Sequence, residues 1–321
     1  MKRTLRLGTR TSVLALAQAG QVAARLERAT GVTVERVGIE TEGDRLVDVP
    51  LTDARAPLAK GWFTGAVEDA IRSGKVDFAV HSLKDLPVAD SPGLTLVIPE
   101  REDPADVLLL RTGEGVHLAG GPNDPRWTVG ASSPRRMALL QRWLPSATGA
   151  FLRGNVTTRI ARLREGRFDA ILLAASGLRR LGEGSAWAPA SSAIPDARAD
   201  GVLPLRLHPR CWPGAPGQGA LALQCRVDDG PTLDLLSALE HGPTRVAVGI
   251  ERAALAALGT GCALPFGAWV DGDEASFAVE VDGRMVVGGC AATELAAVVS
   301  SEDRVKAFAI EGEGFSAEPW G

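Results

Sequence analysis

Hydrophobic positions in the first two thirds of the chain follow two alternating periods. Short apolar runs, such as Leu5 to Leu7 and Val76 to Val80, are typical of β-strands. Between such runs, apolar residues recur every three or four positions, as from Leu16 to Leu26, which is the period of an amphipathic helix. This alternation predicts βα units arranged around largely parallel sheets.

Helix-start and helix-stop signals place these units more closely. Ser12 and Asn155 suit N-caps, and Ser133 followed by Pro134 suits an N-cap and a first helical residue. Gly74 is expected to end a helix whose apolar face runs from Phe63 to Ile71. Further strands are predicted at three apolar runs: Val107 to Leu110, Val129 to Ala131 and Phe168 to Ala174.

The last third of the chain has a different texture. Periodicity weakens between residues 183 and 217, a segment rich in Ala, Pro, Ser and Gly that we interpret as an irregular excursion or a crossing between domains. From Asp228 onward two helical segments precede three strands and a last helix, which indicates a separate, smaller α+β domain. These strands and the helix are predicted at Ala263 to Val270, Ser276 to Val281, Met285 to Val287 and Thr293 to Val298.

Composition narrows the class of protein. A chain of 321 residues suits two or three domains, and 45% hydrophobic with 23% charged residues is typical of an ordered globular protein. The start, Met1 to Arg6, is charged without a following apolar segment, and no apolar run is long enough to span a membrane. We therefore expect a cytoplasmic protein.

Net charge and aromatic content bear on the partner. The net charge is −4 and the isoelectric point is near 5.7, whereas a nucleic-acid-binding face is normally basic. The chain has no Tyr, which removes one residue that commonly stacks on bases. We expect a small-molecule partner, with neither nucleic acid nor membrane.

The four cysteines are scattered and must be considered singly. No Cys-x-x-Cys pair or His at ligand spacing accompanies them, so the sequence favours neither a zinc site nor a disulfide framework. Cys262 lies in the glycine-rich loop Gly259–Pro265, which exposes its sulfur and suits covalent chemistry; the alternative is a small buried hydrophobe. Cys211, Cys225 and Cys290 are interpreted as structural.

Three loops at the predicted carboxyl ends of strands carry hydroxyl or guanidinium groups directly before a helix. They are Thr9–Ser12, Ser132–Arg136 and Arg153–Arg159. Helix N-termini present free N–H groups, and Arg binds carboxylates or phosphates in bidentate geometry, so together they predict a polyanionic ligand. The alternative for any one loop is an ordinary capped helix with solvated arginines.

Asp85 follows Lys84 at the end of an apolar strand, where open α/β sheets place their ligands. Its alternative roles are to cap a turn before Pro87 or to pair with Lys84. His81 is interpreted as structural, since no Ser or Cys partner or second metal ligand lies at a useful spacing. The Gly217–Gly219 segment suits a hinge better than a phosphate turn, because two glycines alone are a weak signal.

These motifs, taken in order, resemble the porphobilinogen deaminase family over most of the chain. Three positions, Val13, Ala59 and Thr260, depart from the family pattern without removing a reacting group. The matching blocks are Arg6–Ser12, Lys60–Phe63, Val80–Pro87, Arg101–Pro104, Ser132–Arg136, Leu152–Val156, Ala175–Leu181, Pro216–Ala220, and Glu251-Arg252 followed by Gly261-Cys262.

The resemblance implies an α/β fold of three domains. Two are α/β lobes like those of periplasmic binding proteins, and the third is a small C-terminal α+β domain that carries the cofactor cysteine. We expect the first lobe at 1–101 with 203–224, the second at 102–202 and the C-terminal domain at 225–321. A monomer is the family expectation.

The resemblance also implies an activity. Cys262 would carry a dipyrromethane cofactor through a thioether, and four porphobilinogen units would be added in turn, each with loss of ammonia. Hydrolysis would then release hydroxymethylbilane, a linear tetrapyrrole of haem and porphyrin biosynthesis. An electron-rich pyrrole is itself the nucleophile, so the protein has to manage the charge of an azafulvenium cation and of many carboxylates.

Roles carried over residue by residue follow from the matching blocks. Asp85 is the expected catalytic residue, because a carboxylate near pyrrole N–H groups stabilises the cation and assists proton transfer. Phe63 and Lys60 are expected in a loop over the ligand. Cofactor binding is expected from Cys262, Lys84, Ser132, Ser133, Arg135, Arg136 and Arg159. Substrate binding is expected from Arg10, Ser12, Phe63, Arg153 and Arg180.

Two other functions remain open on the sequence alone. A non-catalytic anion-binding protein would explain the arginine loops but not the glycine-framed Cys262. A cysteine-nucleophile hydrolase would need a His near Cys262 in space, and the four histidines cannot be placed from sequence: His81, His117, His208 and His241.

Overall fold

The computed structural model describes residues 4–41, 64–112, 125–182, 201–259, 264–310 and 317–319. Its internal contacts divide the chain into two units, each made of two segments. The first unit combines residues 1–102 with 220–246, and the second combines residues 103–219 with 247–321.

The described strands and helices follow one another along both units. No helix among the described residues is both long and apolar enough to cross a bilayer. The strands are β1 (Thr4–Arg10), β2 (Thr33–Ile39), β3 (Phe78–Ser82), β4 (Leu94–Val97), β5 (Asp106–Arg111), β6 (Thr128–Ala131), β7 (Thr148–Phe151), β8 (Ala170–Ala174), β9 (Val202–Leu207), β10 (Leu221–Arg226), β11 (Phe266–Asp271), β12 (Glu274–Val281), β13 (Arg284–Ala291) and β14 (Ala317–Pro319). The helices are α1 (Val13–Thr30), α2 (Gly65–Arg72), α3 (Pro134–Trp143), α4 (Val156–Arg164), α5 (Ala175–Gly182), α6 (Gly230–Ser237), α7 (Gly242–Ala257), α8 (Leu295–Val299) and α9 (Glu302–Ala307), with 3₁₀ turns at Leu83–Asp85 and Ala292–Glu294.

The first unit is built on a five-stranded sheet in the order β2-β1-β3-β10-β4. Strand β1 runs parallel to β2 and β3, while β10 is antiparallel to both β3 and β4. The prediction of a largely parallel sheet is therefore correct only for β1 to β3. Strand β10 joins the sheet after the chain has passed through residues 103–219, and it enters in the opposite direction.

Helix α1 covers one face of this sheet because its apolar residues recur at helical spacing. Ala19, Val22 and Leu26 are buried, and they pack with Leu7 of β1 and Phe78 of β3. Each fully buried aliphatic side chain contributes roughly 1.5–3 kcal/mol relative to an exposed one. This packing fixes the carboxyl ends of β1 and β3 relative to each other.

The second unit contains a six-stranded mixed sheet in the order β14-β9-β5-β8-β6-β7. Strand β6 is parallel to β7 and β8, and β5 is antiparallel to β8 and β9. Residues 203–207, expected in the first lobe, lie instead in β9 of this sheet. The boundary between the lobes differs from the expected one because a hydrophobic pattern can identify a strand but not its partner in the sheet.

The C-terminal strands form a separate antiparallel sheet, as the sequence predicts. Its order is β11-β12-β13. Leu139 and Leu140 of α3 share one core with Met285 and Val287 of β13, and Arg142 donates to the carbonyl oxygen of Met285 at 3.0 Å. This α+β portion therefore packs within the second unit.

Helix boundaries follow the capping signals. The Ser12 hydroxyl accepts from the Ala15 N–H at 3.3 Å, and Asn155 Oδ1 accepts from the Thr158 N–H at 2.8 Å. Ser133 precedes Pro134 at the start of α3, although the Ser133 side chain forms no capping hydrogen bond. Both caps and the Pro134 start were predicted, so the loops before α1, α3 and α4 are confirmed as helix N-termini.

Candidate active site

The carboxyl ends of β1 and β3 bring four predicted site residues to one edge of the first sheet. The two strands are adjacent and parallel, with Gly8 opposite Ala79. Each strand then leads directly into the residues expected to act: Arg10 ends β1, Ser12 caps α1, and Lys84 and Asp85 lie in the 3₁₀ turn after β3.

The turn at Leu83–Asp85 is anchored by its apolar residues. Leu83 and Leu86 are only 1% and 4% exposed, and the Leu83 N–H donates to the Ala220 carbonyl oxygen at 3.0 Å. Asp85, between these two leucines, is exposed, and in the described part of the chain its carboxylate is not taken up by an ion pair. Both carboxylate oxygens are therefore available to a hydrogen-bond donor.

His81 lies in β3, four residues before Asp85, and is buried. Among the described residues its Nε2 has no hydrogen-bond partner. The pKa of His81 is lowered to about 4, mainly by burial; the charge of Arg10 acts in the same direction, and Glu68 opposes the shift. The imidazole is therefore neutral near pH 7, which supports a structural rather than an acid–base role.

The carboxyl ends of β6, β7 and β8 form the corresponding edge in the second unit. Strand β6 lies between β7 and β8 and is parallel to both, so the segments that follow the three strands emerge at the same end of the sheet. Ser132 and Ser133 follow β6 and Arg153 follows β7, while α5 begins immediately after β8. Two of the three predicted basic loops are thus adjacent.

Arg135 and Arg136 point inward at this edge and bind a buried carboxylate. Asp106, the first residue of β5, is 0% exposed, and the two arginines are 4% and 6% exposed. Arg135 Nη2 lies 2.9 Å from Asp106 Oδ2, and Arg136 binds both oxygens through Nε at 3.1 Å and Nη2 at 2.7 Å. The indole of Trp212 and the amide of Gln218 donate to the same carboxylate at 3.0 and 2.9 Å.

Arg153 and Arg159 have a different environment at the start of α4. Arg159 Nε donates to the Gly154 carbonyl oxygen at 2.7 Å, and this guanidinium has no ion pair among the described residues. Burial and the charges of Arg136 and Arg162 lower the pKa of Arg159 to about 10. Arg153 Nη1 is buried without a hydrogen-bond partner among the described residues. Cations in this arrangement favour an anion.

Arg180 lies within α5 and is also buried. Its Nη2 donates to the Gly219 carbonyl oxygen at 2.6 Å. Gly217 and Gly219 both have positive φ, at 77° and 90°, which glycine adopts readily. The Gly217 N–H donates to buried Glu251 at 2.7 Å, so this turn binds groups of the protein itself. Its polar contacts are those of a structural connection.

The three described cysteines differ from a reactive thiol. Burial raises the pKa of Cys225 and of Cys290 to about 11, which disfavours the thiolate in both. Cys211 donates weakly to the His208 carbonyl oxygen at 3.4 Å. Their interpretation as structural residues is consistent with these environments.

Some predicted site residues lie outside the described residues, and some contacts were not predicted. Phe63, Lys60 and Cys262 belong to the first group. Asp106, Trp212 and Gln218 form the second; of these, Asp106 carried a signal, because a carboxylate that opens a buried apolar strand requires a partner.

Comparison with known proteins shows which family the chain belongs to. The family model described as "Porphobilinogen deaminase, dipyromethane cofactor binding domain" matches residues 5–234. The chain belongs to the porphobilinogen deaminase family. A porphobilinogen deaminase of Roseiflexus sp. is 42% identical over 295 residues, which cover 90% of each chain. "Porphobilinogen deaminase 1" of Streptomyces avermitilis is 43% identical over 284 residues, covering 84% of this chain and 79% of that protein.

Solved structures match at lower similarity. The periplasmic VFT2 domain of BvgS from Bordetella pertussis is 15% identical, with a TM-score of 0.40 over 78% of this chain and 91% of that chain. A likeness of this size carries no argument about function or architecture. The α/β assignment rests on the sheets and helices of the structure itself.

Proposed function

We propose that this chain condenses four porphobilinogen units in turn on a covalently held dipyrromethane, with loss of ammonia at each step, and then releases hydroxymethylbilane by hydrolysis. Family membership supports a transferase of tetrapyrrole biosynthesis. The structural observation that carries the proposal is the surplus of guanidinium groups in the second unit. Arg135 and Arg136 share the single carboxylate of Asp106, and Arg159 has no ion pair among the described residues.

The residues present fit a dipyrromethane. Acetate and propionate side chains on its rings are anions, and the surplus positive charge around Arg136 and Arg159 requires anions. Two buried nitrogens without a hydrogen-bond partner among the described residues, Arg135 Nε and Arg153 Nη1, offer further donors. When bound, the cofactor supplies an electron-rich pyrrole carbon for bond formation. It would be held by Cys262 through a thioether and by Lys84, Ser132, Ser133, Arg135, Arg136 and Arg159.

Substrate carboxylates are assigned to a second group of residues. Arg10 and Ser12 lie at the same edge of the first sheet as Asp85, where a bound ring would meet both a cation and a carboxylate. Arginine suits this task because its planar group grips a carboxylate with two N–H donors. The full assignment is Arg10, Ser12, Phe63, Arg153 and Arg180.

Asp85 acts on the reacting ring in this proposal. Its exposed carboxylate oxygens accept hydrogen bonds from pyrrole N–H groups and stabilise the positive charge that develops on the substrate as ammonia leaves. The same carboxylate assists proton transfer to and from the ring. The buried Leu83 and Leu86 hold its turn in place during these steps.

The setting of the reaction belongs to the same proposal. We assign the protein to the cytoplasm, acting as a monomer on a small molecule, with no nucleic-acid or membrane partner. The net charge of −4 supports the absence of a nucleic-acid partner, because phosphate backbones attract basic surfaces.

An assay of the purified protein with porphobilinogen tests the function. The proposal expects porphobilinogen to disappear, with ammonia and a linear tetrapyrrole released in a ratio of about four to one, as four additions of this aminomethyl pyrrole require. Tight binding of porphobilinogen without ammonia release by the folded protein would support a non-catalytic anion-binding protein and contradict the proposal.

A further inference from the structure

Asp106 accepts hydrogen bonds from two separate parts of the second unit. Arg135 and Arg136 come from the first turn of α3, while Trp212 and Gln218 come from the segment between β9 and β10. A carboxylate offers about four lone-pair sites, and Asp106 accepts five hydrogen bonds between 2.7 and 3.1 Å. Its oxygens are therefore saturated by the protein and have no capacity left for a ligand.

The charge of this cluster is unbalanced. Two guanidinium groups share one carboxylate, and all three side chains are almost fully buried. Burial of an uncompensated cation is costly, and it lowers the pKa of Arg135 even with Asp106 in contact. A pair built only for stability would need one arginine.

An ion pair in the same sheet provides the contrast. Asp169, just before β8, binds Arg111 of β5 at 3.1 Å, one carboxylate with one guanidinium. Because β5 and β8 are antiparallel, with Asp106 opposite Ala174, this pair lies at the opposite end of the sheet. Among the described residues, the carboxylate shared by Arg135 and Arg136 lies at the end where the predicted cofactor residues are found.

The surroundings hold Arg135 in one place. A methyl group on Gly267 of β11 would lie 2.5 Å from the Pro213 carbonyl oxygen and 3.0 Å from Arg135 Cδ, so only glycine allows this approach. Arg135 Nη1 donates to that same carbonyl oxygen at 2.9 Å.

We propose that Asp106 is a positioning residue: it orients Arg135 and Arg136 so that their remaining N–H groups and their surplus charge meet the carboxylates of the cofactor and the growing chain. Asp106 touches no ligand in this account. The inference rests on the proposed function and adds to it a residue that acts through two others.

Asp106→Asn is the first test, with Asp169→Asn as the matched control. Asparagine keeps the shape but loses the charge and one acceptor oxygen, so the arginines lose their fixed orientation. We expect a lower fraction of protein carrying the adduct by intact mass. In the loaded fraction, the KM for porphobilinogen should rise about tenfold or more, the loss expected from one weakened charge-assisted hydrogen bond, with a much smaller change in kcat. Asp169→Asn should keep the wild-type adduct and KM.

Trp212→Phe tests the positioning role of Asp106 if Asp106→Asn does not fold. Phenylalanine retains part of the aromatic packing and removes the indole N–H that donates to Asp106 Oδ2, so a smaller rise in KM and partial loss of adduct are expected. Wild-type adduct and KM in a folded Asp106→Asn or, failing that, in Trp212→Phe would overturn the positioning role. Wild-type protein that carries no adduct and releases no ammonia would instead contradict the proposed function.

Discussion

Two aspartates, one in each unit, occupy opposite environments. Asp85, in the turn after β3, is exposed, and no ion pair of the described residues uses its carboxylate. Asp106, at the start of β5, is 0% exposed and accepts hydrogen bonds from two arginines, a tryptophan and a glutamine. Each lies at the end of its sheet where the predicted ligand-binding residues are found.

In the proposed mechanism, the exposed carboxylate acts on the substrate and the buried one positions other groups. A general acid–base group must keep lone pairs free for the reacting molecule, and Asp85 does so. The lone pairs of Asp106 accept hydrogen bonds from the protein itself. These hydrogen bonds hold the guanidinium groups of Arg135 and Arg136 in place. Substitution of either residue should therefore change different measured quantities.

The largest expected effect is on turnover in Asp85→Asn. Asparagine preserves the size of the side chain but cannot stabilise a cation or carry a proton, so turnover should fall by about 10²–10⁴-fold. The melting temperature should stay at the wild-type value because the side chain is exposed. Steady-state rates and thermal unfolding of the same cofactor-loaded preparation check both statements.

Asp90→Asn is the matched control for this variant. Asp90 is also exposed and lies five residues further along the same connection, so its substitution should leave turnover unchanged. A folded, cofactor-loaded Asp85→Asn protein with wild-type turnover would remove Asp85 from the mechanism.

For the free energy of unfolding, the alanine variant of Asp106 should show the larger effect and that of Asp85 the smaller. Asp106→Ala leaves two buried guanidinium groups without their carboxylate and should lower the free energy of unfolding by about 3–5 kcal/mol. Asp85→Ala should change it by no more than about 0.5 kcal/mol. Urea unfolding of both variants at pH 7 provides the comparison, and equal losses of stability would show that the two environments do not differ as described.

Buried His81 predicts that the free energy of unfolding depends on pH, by an amount no larger than the loss expected in Asp106→Ala. The pKa of His81 is about 4 in the folded protein against 6.5 for the free side chain, so the unfolded chain binds a proton first as the pH falls. Stability from this group is complete above pH 6.5 and is lost between pH 6.5 and 4, by roughly 3 kcal/mol in total.

His81→Gln removes this titration and isolates its contribution. The difference in unfolding free energy between wild type and His81→Gln should change by that amount between pH 7 and pH 4, since the carboxylates common to both proteins cancel. Parallel curves of unfolding free energy against pH would show that His81 is not held neutral by burial.

Local signals predicted much of the fold. Ser12 and Asn155 cap their helices as expected, and the apolar run Val107 to Leu110 lies within β5. The strand predicted at Val76 to Val80 begins two residues later, because the Val76 N–H donates to the Ala70 carbonyl oxygen at 3.1 Å to close the turn after α2. Periodicity is a local property and reports such elements well.

The hydrophobic pattern of the sequence could not predict contacts between segments that are far apart in the chain. The pairing of β9 with β5 and the approach of Trp212 to Asp106 join residues about a hundred positions apart, and neither leaves a periodic trace. The sequence indicated that Arg135 and Arg136 bind carboxylates at a helix start, but not that an internal carboxylate takes part of their hydrogen bonds. A three-domain division and the site roles stay predictions.

Intact mass of the purified protein tests the central claim most directly. The account predicts a mass above that of the sequence by a two-pyrrole adduct, present in wild type and in Cys211→Ala, Cys225→Ala and Cys290→Ala. Cys262→Ala should have the mass of its sequence alone, since the thioether requires that thiolate. An adduct that persists on folded Cys262→Ala, or a wild-type protein without one, would contradict the account.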